Sequence, residues 1–138
     1  AELPAALARL TDGEQVRRVR HVVTENARVL AAVAALEASD WSAVGTLLTA
    51  SHVSMRDDYE ITVPTVDLAV DVALASGALG SRMTGGGFGG TVIALMPTTG
   101  VDAFTASLAD AYAAQGFDAP QVSTTRASAG GIALSLRG

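Results

Sequence analysis

The sequence predicts an α+β fold, an antiparallel sheet of about four strands with helices on one face. Apolar residues recur at helical spacing through the first half. The second half turns to short apolar runs separated by glycine-rich turns. Helices first and strands later is the order of an α+β domain. Residues 1–138 read as one domain with no internal repeat or linker, a length that carries a full hydrophobic core.

Thr11 to Glu14 has the pattern of a capping box. After it Val16, Val19, Val23, Ala27, Leu30 and Val33 give a long amphipathic helix to about Ala38, with this stripe as its buried face. Its other residues, Arg17, Arg18, Arg20, His21 and Glu25, read as a solvated face, with Glu14 and Arg18 spaced as an i,i+4 pair. Asp40 is a suitable N-cap for a second helix, lined by Trp41, Val44, Leu48 and Met55 and ended by the polar run Ser54 to Glu60. Pro64 suits the first turn of a third helix to about Ser76, with stripe Val66, Val70 and Leu74 and Gly77 as its stop. Strands follow at Ser81–Thr84 and Thr91–Met96, the second apolar enough to be buried on both faces. Asp102 caps a fourth helix with Phe104, Leu108 and Tyr112, stopped by Gly116. Gln121–Arg126 and Ile132–Leu136 read as two last strands joined at Gly130-Gly131.

Composition excludes several function classes. Net charge is −5, which argues against a nucleic-acid surface. All basic residues are Arg, so a Walker A loop and a protein-kinase lysine are excluded within this chain. With no Cys and only His21 and His52, thiolate and histidine-rich metal sites are excluded as well. Apolar runs are too short to span a bilayer, and residues 1–10 lack a signal-peptide pattern, so a soluble cytoplasmic protein is expected.

Gly85-Gly86-Gly87-Phe88-Gly89-Gly90 is the feature that most needs a reason. Each ordered Gly costs roughly 0.5–1 kcal/mol relative to Ala, and a simple hairpin turn needs only one or two. Five in six residues point to a backbone that a phosphate or another ligand approaches closely. Phe88 either anchors this loop in the core, the favoured role, or stacks on a ligand. A Rossmann turn is rejected because the loop joins two strands instead of opening a helix. The polar stretch Ser51 to Glu60 taken alone reads as a helix C-terminus packed into the domain, Arg56 bonding carbonyls or a carboxylate. A Ser–His hydrolase site lacks its nucleophile elbow there, and Asp57-Asp58 lacks the spacing of a calcium loop.

Three stretches together carry a family resemblance. Ser81-Arg82-Met83-Thr84-Gly85-Gly86-Gly87-Phe88-Gly89-Gly90 resembles the third signature motif of galactokinases, within the GHMP family of small-molecule kinases. Ser51-His52 through Arg56-Asp57-Asp58-Tyr59-Glu60, on to Pro64 and Asp67, is similar to the stretch before that motif. Arg17-Arg18-Val19-Arg20-His21-Val22-Val23-Thr24-Glu25 resembles the family's basic helix. The likeness fades after Met96, and Thr91 stands where many galactokinases have Cys.

The resemblance implies a ferredoxin-like C-terminal domain docked on an N-terminal domain of the same enzyme, with the active site between them. It implies ATP and Mg²⁺, both bound mainly by the N-terminal domain, and phosphorylation of galactose at C1. Thr84, Gly85, Gly86, Gly87, Phe88, Gly89 and Gly90 would line the cleft, with Ser51, His52, Arg56 and Asp57 as neighbours. The family's catalytic Asp and Arg have no counterpart motif here, so no catalytic residue and no metal ligand is assigned, and the chain alone is expected to be inactive. The competing readings are a non-catalytic sensor on the same scaffold and a stand-alone interaction module.

Overall fold

A computed structural model describes residues 2–126. Helix α1 is Glu2–Leu7, α2 Gly13–Glu37 and α3 Trp41–Ser54, which runs directly into a π-helical turn, Met55–Tyr59. Helix α4 is Pro64–Ala75; strands β1 (Gly80–Thr84) and β2 (Thr91–Leu95) follow, then a 3₁₀ turn, Thr98–Gly100, and α5, Val101–Ala114.

The two strands form an antiparallel hairpin in which Ser81 faces Ala94, Met83 faces Val92 and Thr84 faces Thr91. Paired residues share a face, so Ser81 and Met83 look the same way as Ala94 and Val92, towards the helices. Ala69 and Ala73 of α4 meet Phe104, Leu108 and Tyr112 of α5, and Val92, Ala94 and Met96 close over them. Tyr112 is buried, and its hydroxyl donates to the Thr65 carbonyl at 2.6 Å. A second cluster, Met55, Val66 and Met83 with Ile61 and Val63, sits beneath the loop end of the hairpin.

Helix α3 meets β1 backbone to backbone. A Cβ on Gly80 would lie 1.9 Å from the Gly45 carbonyl oxygen, and one on Gly45 would lie 2.2 Å from that of Leu79. Two glycines at this crossing let side chains of α3 reach the free edge of β1. Thr49 Oγ1 accepts from the Ser81 amide at 3.4 Å, and His52 Nδ1 accepts from the Met83 amide at 3.3 Å. Acceptors three apart on a helix thus serve amides two apart on a strand, satisfying donors that another strand would otherwise take.

Several sequence expectations are corrected. The cap of α2 is Asp12, whose carboxylate accepts from the Glu14 amide at 2.8 Å, and not Thr11. The larger correction concerns the faces of α2. Val22 and Leu30 are 59 % and 66 % exposed, and Val23 and Val33 are exposed too, while His21 is buried. The polar side packs inwards because its charges find partners on the π turn: Arg18 reaches the Asp58 carbonyl and Glu60, Arg20 pairs with Asp58, and His21 bonds Ser54 and stacks on Tyr59. Asp40 caps α3 as expected, by accepting from the Ala43 amide, but Trp41 lies exposed. Val66 and Val70 are buried as expected. Strand β2 is covered on one face only; Ile93 points away from the core and is exposed. Asp102 lies in the first turn of α5, whose N-cap is Gly100. Gln121–Arg126 is not a strand, and the expected strand Ile132–Leu136 with its Gly130-Gly131 turn lies outside the described residues. The sheet of the described residues therefore has two strands, not four.

Candidate functional site

The loop of residues 85–90 projects from the open end of the hairpin. Gly85, Gly87, Gly89 and Gly90 all have φ between +90° and +122°, backbone that side chains with a Cβ rarely adopt. A Cβ at Gly85, Gly86, Gly89 or Gly90 would meet nothing within 4 Å. Packing inside the described chain therefore does not demand bare backbone at these four positions. Phe88 has φ +58° and is 72 % exposed, which corrects the core-anchor role and leaves the ring free to contact something else. What anchors the loop is its backbone: the Phe88 amide donates to the Ile61 carbonyl at 2.6 Å, and a Cβ on Gly87 would press on Ile61 at 3.0 Å.

The segment that receives the loop follows the π turn. Glu60 takes a left-handed conformation, φ +57°, and the Ile61 amide returns to the Met55 carbonyl, which turns the Ile61 carbonyl towards the loop. Thr62 Oγ1 donates to Asp67 Oδ2 at 3.2 Å. Asp67 Oδ1 lies 3.1 Å from His52 Nε2. The alignment is imperfect, and neither atom has another hydrogen-bond partner among the described residues, so each is left with the other. His52 is only 2 % exposed. Burial pushes its imidazole below the usual histidine value, and the opposing pull of Asp67 does not reverse this.

A second polar knot ties α2 to the hairpin. Glu25 accepts from the Ser51 hydroxyl and from Arg28, and takes Arg82 of β1 at 3.2 Å. Burial pushes the Glu25 carboxyl up, but the Ser51 hydroxyl and the two guanidiniums outweigh it and hold it below the ordinary carboxylate value. Arg82 also donates to the Met83 carbonyl of its own strand.

The family model for GHMP kinases, C terminal, matches residues 32–114. The chain belongs to that family. Galactokinase of Streptomyces coelicolor (strain A3(2)) is 57 % identical over 131 residues, which is 94 % of this chain and 34 % of that protein. Galactokinase of Mycobacterium tuberculosis (strain H37Rv) is 51 % identical over 126 residues, 91 % of this chain and 35 % of that one. The crystal structure of Lactococcus lactis galactokinase complexed with galactose matches with a TM-score of 0.79 at 38 % identity, over 84 % of this chain and 30 % of that one. The chain spans about a third of the length of these relatives.

Within this GHMP C-terminal region the candidate residues separate into two groups. Thr84 and the loop residues 85–90 stand together at the exposed end of the hairpin. Ser51 and His52 are buried, Ser51 bonded to Glu25 and His52 to the Met83 amide of β1. Arg56 and Asp57 are exposed and pair with each other at 2.7 Å. Asp58, the other half of the acidic pair, is taken by Arg20. Ile61 and Thr62, which receive the loop, carry no chemistry that would mark them in the sequence; only Asp67 stood out, through the motif. The Glu25–Arg82 pair is separated by 57 positions and has no local signature.

Proposed function

We propose that this chain is the C-terminal domain of a galactokinase, whose whole form transfers the γ-phosphoryl group of ATP to the C1 hydroxyl of α-D-galactose. The observation that carries this reading is the bare, open loop of residues 85–90, held by its own backbone and free of any packing need for glycine at four positions. Amides without Cβ atoms suit an anionic reactant, because successive N–H groups can converge on its oxygens. Galactokinase relatives above 50 % identity support the substrate class.

In this reading the loop of residues 85–90 supplies shape and main-chain donors, Phe88 offers its exposed ring to the substrates or to the facing domain, and Thr84 begins the lined surface. ATP supplies the phosphoryl group when bound. Among the described residues no three acidic or histidine side chains converge on a point that could hold a metal ion, so no step is assigned to Mg²⁺ on this chain. The remaining two-thirds of the enzyme is the partner. Its docking surface includes the exposed apolar side of α2, where Val22 and Val23 line a shallow groove with Arg18 and Val19, and Leu30 and Val33 are exposed further along the helix. Exposed apolar stripes of this kind mark interaction surfaces.

The test replaces the matched region of the S. coelicolor galactokinase with this chain. The chimera is expected to phosphorylate galactose with ATP and Mg²⁺, while the 138-residue chain alone does not. A folded chimera that lacks turnover, or ordinary turnover by the chain alone, overturns the reading.

A further inference from the structure

The glycine loop is held at two points, and the two holders belong to different elements. On the entering side, the Met83 amide of β1 donates to His52 Nδ1 on α3. On the far side, the Phe88 amide donates to the Ile61 carbonyl, in the segment between the π turn and α4. Asp67 on α4 joins the holders, since one of its oxygens takes Thr62 and the other faces His52 Nε2. The path runs from Met83 through His52 and Asp67 to Thr62 by polar contacts, passes along the backbone to Ile61, and reaches Phe88 by a hydrogen bond.

We propose that His52 and Asp67 form a positioning pair that couples the two anchors of the residue 85–88 loop, with His52 acting as the neutral Nε2–H tautomer. The tautomer follows from the partners. A backbone amide can only donate, so Nδ1 must keep its lone pair, and the single imidazole proton then sits on Nε2, facing a carboxylate. A second proton on Nδ1 would point at the Met83 N–H and break the first link. The charged groups bearing on His52 are Asp67 and Asp71 of α4, and Arg56 and Asp57 of the π turn. From β1 the Met83 amide reaches the ring. His52 stays buried, with its ring nitrogens facing the Met83 amide and Asp67, so its role is to set where the loop stands. This deepens the proposed function by naming what holds the loop, yet its test reads the chain itself and needs no kinase activity.

The experiment is nuclear magnetic resonance on the 138-residue chain, reading the His52 ring nitrogens and amide exchange at Met83 and Phe88. The ring signals are expected to show Nε2 protonated and Nδ1 bare at neutral pH. Asp67→Ala touches neither amide directly, yet is expected to speed exchange at both by roughly five- to tenfold, the worth of one hydrogen bond. His52→Asn, whose side-chain oxygen can stand where Nδ1 stood, is expected to keep Met83 protected, whereas His52→Ala exposes it. As pH falls through the His52 titration, Met83 and Phe88 exchange, corrected for its intrinsic pH dependence, should rise together in the wild type and show no such step in His52→Asn. A bare Nε2 with a protonated Nδ1, or Asp67→Ala leaving either amide unchanged, overturns the proposal. Should an alanine variant fail to fold, the wild-type titration and His52→Asn decide it alone: Met83 and Phe88 responding separately to His52 protonation sinks it.

Discussion

Gly86→Ala separates what the loop does for the fold from what it does for a ligand. Of the five loop glycines, Gly86 alone combines a φ outside the left-handed region with open space around a Cβ; the other four have positive φ. Alanine at those four would be strained by roughly 1–2 kcal/mol whatever their function. At Gly86 the new methyl meets no atom within 4 Å, so the chain should gain about 0.4–1 kcal/mol through a less disordered unfolded state. That corresponds to a melting temperature raised by roughly 1–4 °C for a domain of this size. If reactants lie against the loop, the same methyl displaces them, and a shift of about 1 Å costs on the order of a hundredfold in rate. The assay pairs thermal melting of the 138-residue chain with kcat/KM of the S. coelicolor chimera for ATP and galactose. The expected result is an unchanged or raised Tm with kcat/KM lowered on the order of a hundredfold. Activity within about twofold of the parent, well under 1 kcal/mol in the barrier, would show that nothing approaches the loop there. A lowered Tm would show that the backbone argument itself is wrong.

Gly80→Ala is expected to cost about 3 kcal/mol or more, because its Cβ would sit 1.9 Å from the Gly45 carbonyl oxygen and neither backbone can move without shifting α3 off β1; thermal melting checks it, with Gly13→Ala as a neutral control, since its Cβ meets only Arg17 Nη1 at 3.9 Å. Glu25 holds a folded pKa below its free value of 4.5, so its contribution is complete above that pH and is lost as pH falls through the folded pKa. Glu25→Gln should therefore flatten the acid limb of stability against pH, as followed by denaturant unfolding, and an unaltered limb refutes the pairing. His52, also depressed, contributes stability that is complete above the free value of 6.5 and is lost as pH falls below it; His52→Asn should remove that segment. Val23→Glu with Leu30→Glu should leave the Tm of the isolated chain within about 1 °C, since both side chains are already exposed, yet lower that of the chimera by several degrees. Equal effects in both would place the α2 stripe outside the interface, and loss of a dimer in the isolated chain would make a second copy its occupant.

Local chemistry in the sequence settled most of the elements. Asp40 caps α3, Pro64 opens α4, and the glycine loop joins two antiparallel strands, because each depends on neighbours within a few positions. The loop stood out as a candidate site for the same reason: five glycines in six residues are a local anomaly. The inward face of α2 was not legible. Periodicity finds two faces of a helix but cannot say which one this stretch of chain covers, and here Arg18, His21 and Glu25 turn inwards because Asp58, Glu60, Ser54 and Arg82 wait for them from distant positions. Phe88 misled for a related reason, since an aromatic is usually buried, whereas the Phe88 amide had already fixed the loop on Ile61 and left the ring outside. Composition and spacing determined the helices and the hairpin and marked the glycine loop as the candidate site. Only the tertiary structure decided which faces meet and how His52 and Asp67 bridge the loop's two supports, because those contacts join residues that the chain itself keeps far apart.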